Sequence, residues 1–288
     1  MATAIVLVFG ALGLLSSPAA TSRVAAASDG PPLIEPASAV HRYLPAVYRA
    51  PAPISTAPTS APTSCPSLAA EAYAALALPD RPLHVAGEGD PDLDVAVRRW
   101  EPAPLAVAPG GGGLVDYPGP TDGRAPQLAG LAPAYITPGN VSFRGLYRVR
   151  DWDWVANQRG GPIAAWPVTL ATIAVPAGGE LQVPDSGYRI GEGFAVLVIY
   201  AATSRLTLKY TRDDDVVRGY TLHVTGACVE PRLLALYQRL DAAGRAQLPA
   251  LKAGDAFGTA SAAEVGIAIR DTGSFMDPRS RKDWWRGF

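Results

Sequence analysis

The architecture of the chain turns on GYRIGEGFAVLVIYAATSRLTLKYTRDDDVVRGYTLHV, residues 187–224. Within it FAVLVIYAA is a short apolar run, while RLTLKY and GYTLHV alternate apolar and polar residues with a period of two. Both patterns belong to β-strands, and the Gly, Ser and Asp residues between them supply turns. On either side the same signals predict strands at 141–150, 168–175, 180–183, 195–201, 205–211, 220–224 and 265–270. The breaks Pro176-Ala-Gly-Gly179, Pro184-Asp-Ser-Gly187 and Ala253-Gly-Asp255 carry turn chemistry. One helix interrupts the strands. In PRLLALYQRLDAAG, Pro231 sits in the first turn, Gly244 marks the stop, and Leu233, Leu236, Tyr237 and Leu240 share a face. Residues 139–288 are therefore expected to be mainly β, an antiparallel sheet or flattened sandwich with one inserted helix.

The remainder divides into three segments. Residues 65–138 read as a loop-rich extension that packs on the β domain and does not fold alone. In it SLAAEAYAALAL, between Pro66 and Pro79, predicts a short helix. In DPDLDVAVRRWEP, Leu93, Val95 and Val97 alternate with polar or small residues and predict a half-buried strand. Gly110 to Gly113 form a flexible joint, and without a following Lys-Ser/Thr they are no phosphate loop. Residues 28–64 hold eight of the 28 prolines and predict an extended tether. His41, Arg42, Tyr43 and Tyr48 interrupt what otherwise reads as an ordinary linker. Residues 4–15, AIVLVFGALGLL, are shorter than the roughly 20 residues a membrane-spanning helix needs, but suit the apolar core of a signal peptide. Its n-region lacks Lys and Arg, whereas VAAAS offers a cleavage site after Ala27. The expectation is a signal peptide at 1–27, a secreted or cell-envelope-associated product, and no membrane span after cleavage, with an uncleaved anchor as the alternative.

Composition narrows the partners. An apolar content of 48% with 18% charged residues describes a globular chain. A formal net charge of -1 argues against nucleic acid as a partner. The two cysteines, Cys65 and Cys228, suit an oxidising compartment. They form either one disulfide, worth at most about 5 kcal/mol on chain entropy, or two buried thiols.

Few residues suggest chemistry. Asp151-Trp152-Asp153-Trp154 on an extended chain places two carboxylates on one face and two indoles on the other. Paired carboxylates serve glycoside hydrolysis and indoles stack on sugars. Carboxylates two residues apart on one strand do not flank a bond, so indoles anchored in the core beside solvated Asp residues is the favoured reading, with glycan binding as the alternative if either Trp is exposed. Asp213-Asp214-Asp215 lacks the spacing of a calcium loop and reads as a solvated turn between strands. His223 shares a strand face with Thr221 and reads as partly exposed and hydrogen-bonded; His41 and His84 lie outside the regular β region. No G-x-S-x-G elbow and no Cys–His pair occur, so no catalytic residue, metal or cofactor is expected.

Near the end LKAGDAFGTA, the strand EVGIAIRD and then GSFMDPRS resemble the close of lysostaphin/LytM-type (M23-like) β-sheet domains, and SRLTLKYTRDD resembles the strand leading to that family's Ala-His dipeptide. The resemblance covers roughly the last 90 to 100 residues. It implies a zinc peptidase fold in which a His-x-His on the last strand and a His…Asp pair hold the metal. Here Glu264 and Gly266 occupy the last-strand positions and Thr211-Arg212 stand where Ala-His would, so the resemblance implies a scaffold without its zinc site. A broader likeness, in GLVDYPGPTDGRAPQLAGL, YRVRDWDW and FMDPRSRKDWW, is to a group of secreted bacterial proteins, often from Chloroflexi, that implies no activity. The resulting expectation is a non-enzymatic protein that binds peptidoglycan, a glycan or an envelope protein. An envelope hydrolase built around Asp151, Asp153 and His223 is one alternative, and an assembly protein is another. The tail RSRKDWWRGF, with Trp284 and Trp285 among four cations, is expected to dock on its own domain.

Overall fold

Alternation along the strands becomes two sheet faces in the computed structural model, which describes residues 65–68, 72–80, 89–104 and 112–288, all within the unit Ala57–Phe288. The signal peptide, the proline-rich linker, His41, Arg42, Tyr43, Tyr48 and His84 lie outside the described residues. The first elements are β1 (Ala74–Ala77), α1 (Val95–Arg98) and β2 (Trp100–Pro102), followed by a 3-10 turn at Leu128–Leu131. Next come β3 (Phe143–Asp153), β4 (Gln158–Pro162), β5 (Leu170–Ala174) and β6 (Glu180–Gln182). The centre holds β7 (Val196–Ala202), β8 (Arg205–Lys209), β9 (Tyr220–Thr225) and β10 (Ala227–Val229). After α2 (Pro231–Ala242) the chain forms β11 (Gln247–Leu251), β12 (Ala256–Ala260), β13 (Glu264–Asp271), β14 (Ser274–Met276) and α3 (Arg281–Trp284).

The protein is mainly β. One sheet runs β1-β11-β7-β8-β9-β13-β5-β3-β2, with β14 added to β13 and β4 to β3; a second, of three strands, runs β10-β12-β6. Every pairing between these strands is antiparallel. On one face of the large sheet Leu206, Leu208, Leu222, Val224, Val265, Ile267 and Ile269 join the main apolar core. The alternate residues Thr207, Lys209, Thr221, His223 and Arg270 are also buried, on the opposite face. Residues 92–94 close over them: Thr207 Oγ1 donates to the Leu93 carbonyl, Tyr200 Oη donates to Asp94 at 3.0 Å, and Arg270 pairs with Asp92 at 3.1 Å.

Two elements reverse the sequence expectation. The helix expected across 67–78 contains strand β1, whose Ala74–Ala77 pair with β11. Alanine favours helix locally, but an available sheet edge supplies backbone partners that outweigh propensities of a few tenths of a kcal/mol per residue. Conversely, the strand expected around Leu93, Val95 and Val97 contains a single helical turn, capped where Asp94 Oδ1 accepts from the Ala96 N–H at 3.0 Å. Both β1 and β2 belong to the main sheet, so the N-terminal segment contributes strands to the fold and is not only a covering of loops.

Cys65 and Cys228 form a disulfide, with an S–S distance of 2.10 Å and Cα atoms 5.2 Å apart, tying the start of the described chain to β10. At the other end both tail indoles are buried. Trp284 Nε1 donates to the Asp277 carbonyl at 2.9 Å and Trp285 Nε1 to that of Pro278 at 2.7 Å. No described helix is long and apolar enough to cross a membrane.

The sheet splits at one place. Strand β5 lies between β13 and β3, paired with Glu264–Ile267 on one side and Phe143–Tyr147 on the other. Because both neighbours are antiparallel to it, they run on together past its end at Leu170. Beyond that end β14 lines β13 and β4 lines β3. The lane that β5 occupied stays open between them.

Candidate functional site

A cleft of about 350 Å³ lies where the sheet splits. Its walls come from five separated segments. Asp92 precedes α1 and Arg98 ends it, Asp151 lies at the end of β3 with Trp154 just after it, Ile163 and Ala165 follow β4, Val216 and Val217 precede β9, and Arg270, Ser274 and Phe275 belong to the β13–β14 hairpin.

Two guanidiniums make the polar part of the cleft, and one carboxylate oxygen serves both. Asp92 Oδ1 accepts from Arg98 Nη2 at 2.9 Å and from Arg270 Nη1 at 3.1 Å. Arg98 also donates through Nε to the Pro91 carbonyl at 2.6 Å, and its Nη1 lies 3.4 Å from the Asp151 carboxylate. The side chain of Asp151 is 71% exposed, so that last contact is loose and solvent-screened. Arg270 is only 2% exposed, its Nε has no hydrogen-bond partner, and its guanidinium stands 4.2 Å above the Phe275 ring. Burial, and then the neighbouring Arg98, push its pKa down to about 10.

Of the residues singled out in the sequence, Asp151 and Trp154 line this cleft, and Trp152, Asp153 and His223 do not. Trp154 is 59% exposed in the β3–β4 turn, which corrects the expectation of two core-anchored indoles; beside it Val155 is fully exposed. Trp152 is half-buried, and its Nε1 is buried without a partner. Asp153 Oδ1 is committed to the turn itself, accepting from the Val155 and Ala156 N–H groups at 3.0 and 2.9 Å. The two carboxylates therefore do different jobs and do not form a working pair.

His223 is buried, not partly exposed as its strand position suggested. Its ring stacks at 27° and 5.8 Å on Phe275, and its Nδ1 lies 3.1 Å from Thr207 Oγ1. The one hydroxyl proton of Thr207 goes to the Leu93 carbonyl, so Nδ1 carries the imidazole proton and Nε2 is a bare acceptor without a partner. Burial first, then Arg270 and Arg98, hold its pKa well below the histidine range. A neutral, enclosed imidazole here is a structural group.

The acidic triplet also differs from its reading as a solvated turn. Asp214 and Asp215 are each only 5% exposed. Asp214 makes a two-pronged pair with Arg245, Nε at 2.9 Å and Nη2 at 2.6 Å. Asp215 accepts from the Val217 and Arg218 N–H groups and lies 3.7 Å from Lys209 Nζ. Burial lowers the Lys209 pKa to about 8 against the opposing pull of Asp215 and Asp213.

The positions matched to the M23-like pattern are filled. Glu264 accepts from Thr172 Oγ1 at 3.0 Å, and Arg212 Nε donates to the Ala77 carbonyl at 2.7 Å. A Cβ at Gly266 would stand 2.3 Å from Thr225 Oγ1, so a side chain there requires the Thr225 hydroxyl to turn away. Among the described residues no three His, Cys, Asp or Glu side chains converge to hold a metal ion.

Sequence reading missed Arg98, Arg270, Asp92 and Phe275. The one available signal was Arg270 itself, a cation closing the apolar strand EVGIAIRD on the face that alternation assigns to His223 across β9. No family model matches the chain, and no curated protein or solved structure is significantly similar to it.

Proposed function

We propose that this is a secreted, non-catalytic β-domain protein that binds a component of the cell envelope through the cleft between Trp154 and Arg270. The observation that carries the reading is an exposed indole at the mouth of a cleft whose buried arginine has an unpartnered Nε. Exposed aromatics beside convergent polar groups are what ligand clefts present.

Secretion is supported by the N-terminal sequence and by the Cys65–Cys228 disulfide, since such bonds persist in oxidising compartments. The non-catalytic part is supported by the geometry of the hydrolase candidates. Asp151 alone reaches the cleft, Asp153 caps a turn and His223 is enclosed. Gly266, with no side chain to bind a metal, stands where the resemblance would place a zinc ligand.

Co-sedimentation with purified peptidoglycan sacculi tests the proposal. The protein is expected in the pellet, and Trp154→Ala is expected in the supernatant. Equal pelleting of the two would move binding away from the cleft. No pelleting of either would remove the envelope reading, and release of soluble fragments from the sacculi would remove the non-catalytic one.

A further inference from the structure

The open lane in the sheet suggests what the cleft takes. One side is a strand edge, Ser274 and Phe275 of β14, which among the described strands pairs with β13 alone, and the facing side is Ile163 and Ala165, just after β4. Along such an edge an extended backbone finds hydrogen-bonding groups, as in peptide recognition by strand addition. The walls are otherwise apolar, with Ile163, Val216, Val217, Phe275 and Trp154 outnumbering the uncharged polar side chains, of which Ser274 is the one in the lining. At the polar end Arg98 and Arg270 share a single Asp92 oxygen, and among the described lining residues the second carboxylate is Asp151, largely solvated and 3.4 Å from Arg98. A guanidinium with an unpartnered N–H in a partly dry site is the arrangement that recognises a carboxylate.

We infer that the cleft binds the C-terminal end of an extended peptide, with its α-carboxylate at the Arg98–Arg270 pair and an apolar last side chain against the Phe275 and Trp154 walls. The inference rests on the proposed use of this cleft and specifies its ligand. A volume of about 350 Å³ lies at the lower end of the range of roughly 300–1,000 Å³ for ligand clefts, enough for a chain end and no more. Asp151 is placed to compete with the incoming carboxylate for Arg98.

The test is calorimetry on the full chain with N-acetyl-Ala-Ala-Val as the free acid and as its C-terminal amide. The acid is expected to bind and to change the fluorescence of Trp154, and the amide to bind about tenfold or more weaker. Asp151→Asn is expected to tighten the acid by about two- to fivefold, the size of a removed solvent-exposed ion pair. Arg270→Gln is expected to abolish binding. Should that variant fail to fold, the acid–amide contrast and Asp151→Asn decide the matter without it. Equal binding of acid and amide would overturn the inference. So would glucuronate or inorganic phosphate binding as tightly as the peptide acid, since the site would then read charge and not a chain end. Sacculus binding that depends on Trp154, without binding of the acid, would overturn this inference and leave the proposed function standing. Acid binding without sacculus binding would do the reverse.

Discussion

At His223 folding is coupled to pH. The ring is 1% exposed, donates from Nδ1 to Thr207, and is surrounded by Arg270, Arg98 and Lys209, all of which oppose a further positive charge. In the unfolded chain it titrates near the ordinary value of about 6.5. Its folded pKa lies well below that. As pH falls through 6.5 the unfolded state takes up a proton that the folded state refuses, so protons drive unfolding. Stability from this group is therefore complete above about pH 7 and declines below it, by at most about 1.4 kcal/mol per pH unit, until the folded pKa is reached. Urea unfolding at about pH 7.5 and 5.5 reads the effect. The wild-type protein is expected to lose about 1 kcal/mol more between the two than His223→Asn, which keeps a donor for Thr207 but does not titrate. An identical loss in both would show that the proton goes elsewhere. The acidic triplet teaches a related lesson. Three consecutive aspartates read as a solvated turn because their counter-charges, Lys209 and Arg245, lie elsewhere in the chain, and no local pattern announces a buried pair such as Asp214–Arg245.

Among the elements, what could be read in advance was what periodicity encodes. Strand β7 was legible as an apolar run between turn residues, β8 and β9 from their alternation, β13 from its apolar residues, and α2 because Pro231 and its apolar stripe mark it. The short strands β10, β11 and β12 were not. β10 has only three residues, β11 contains Pro249, and β12 contains Gly258, where a Cβ would meet the Cys228 carbonyl oxygen at 2.4 Å. The cleft escaped for a different reason. It exists because β5 is shorter than both its neighbours, and relative strand length is a property of pairing that no single segment shows. Helix α2 also has a feature that sequence understates. Glu230, fully buried, caps it by accepting from the Arg232 and Leu233 N–H groups at 2.7 and 3.0 Å, and it receives Ser67 Oγ at 3.1 Å. Glu230→Ala leaves two helix N–H groups without an acceptor and is expected to cost about 2 kcal/mol in chemical denaturation. Faster hydrogen exchange at the Arg232 and Leu233 amides than in the rest of α2 would locate the loss at the cap. Uniform exchange along the helix would place the role of Glu230 in packing.

The molecule as a whole is closed by its C-terminal tail. Segment 112–127 has no regular strand of its own, and the tail ties it to the sheet. Val115 bridges Ser280, Arg281 pairs with Asp116 at 2.8 Å, and Gln127 Nε2 donates to the Asp283 carbonyl at 3.0 Å. From the same tail Trp284 meets Tyr220 edge-on at 5.7 Å and Trp285 meets Phe143 at 5.8 Å, joining β9 and β3 beneath the loops. Each indole buries a large apolar surface and satisfies its N–H on a backbone carbonyl, so replacing one by Ala is expected to cost about 3–5 kcal/mol. A domain of this kind holds only about 5–15 kcal/mol in total. Trp285→Ala should therefore fold with a lowered urea midpoint, whereas deletion of 279–288 removes both indoles and the buried Arg279 and exceeds the margin. The truncated chain is expected to lose its near-ultraviolet circular dichroism and its cooperative thermal transition together. Retention of both would mean that the tail lies on the fold without closing it, and that the core above β9 and β3 is complete without Trp284 and Trp285.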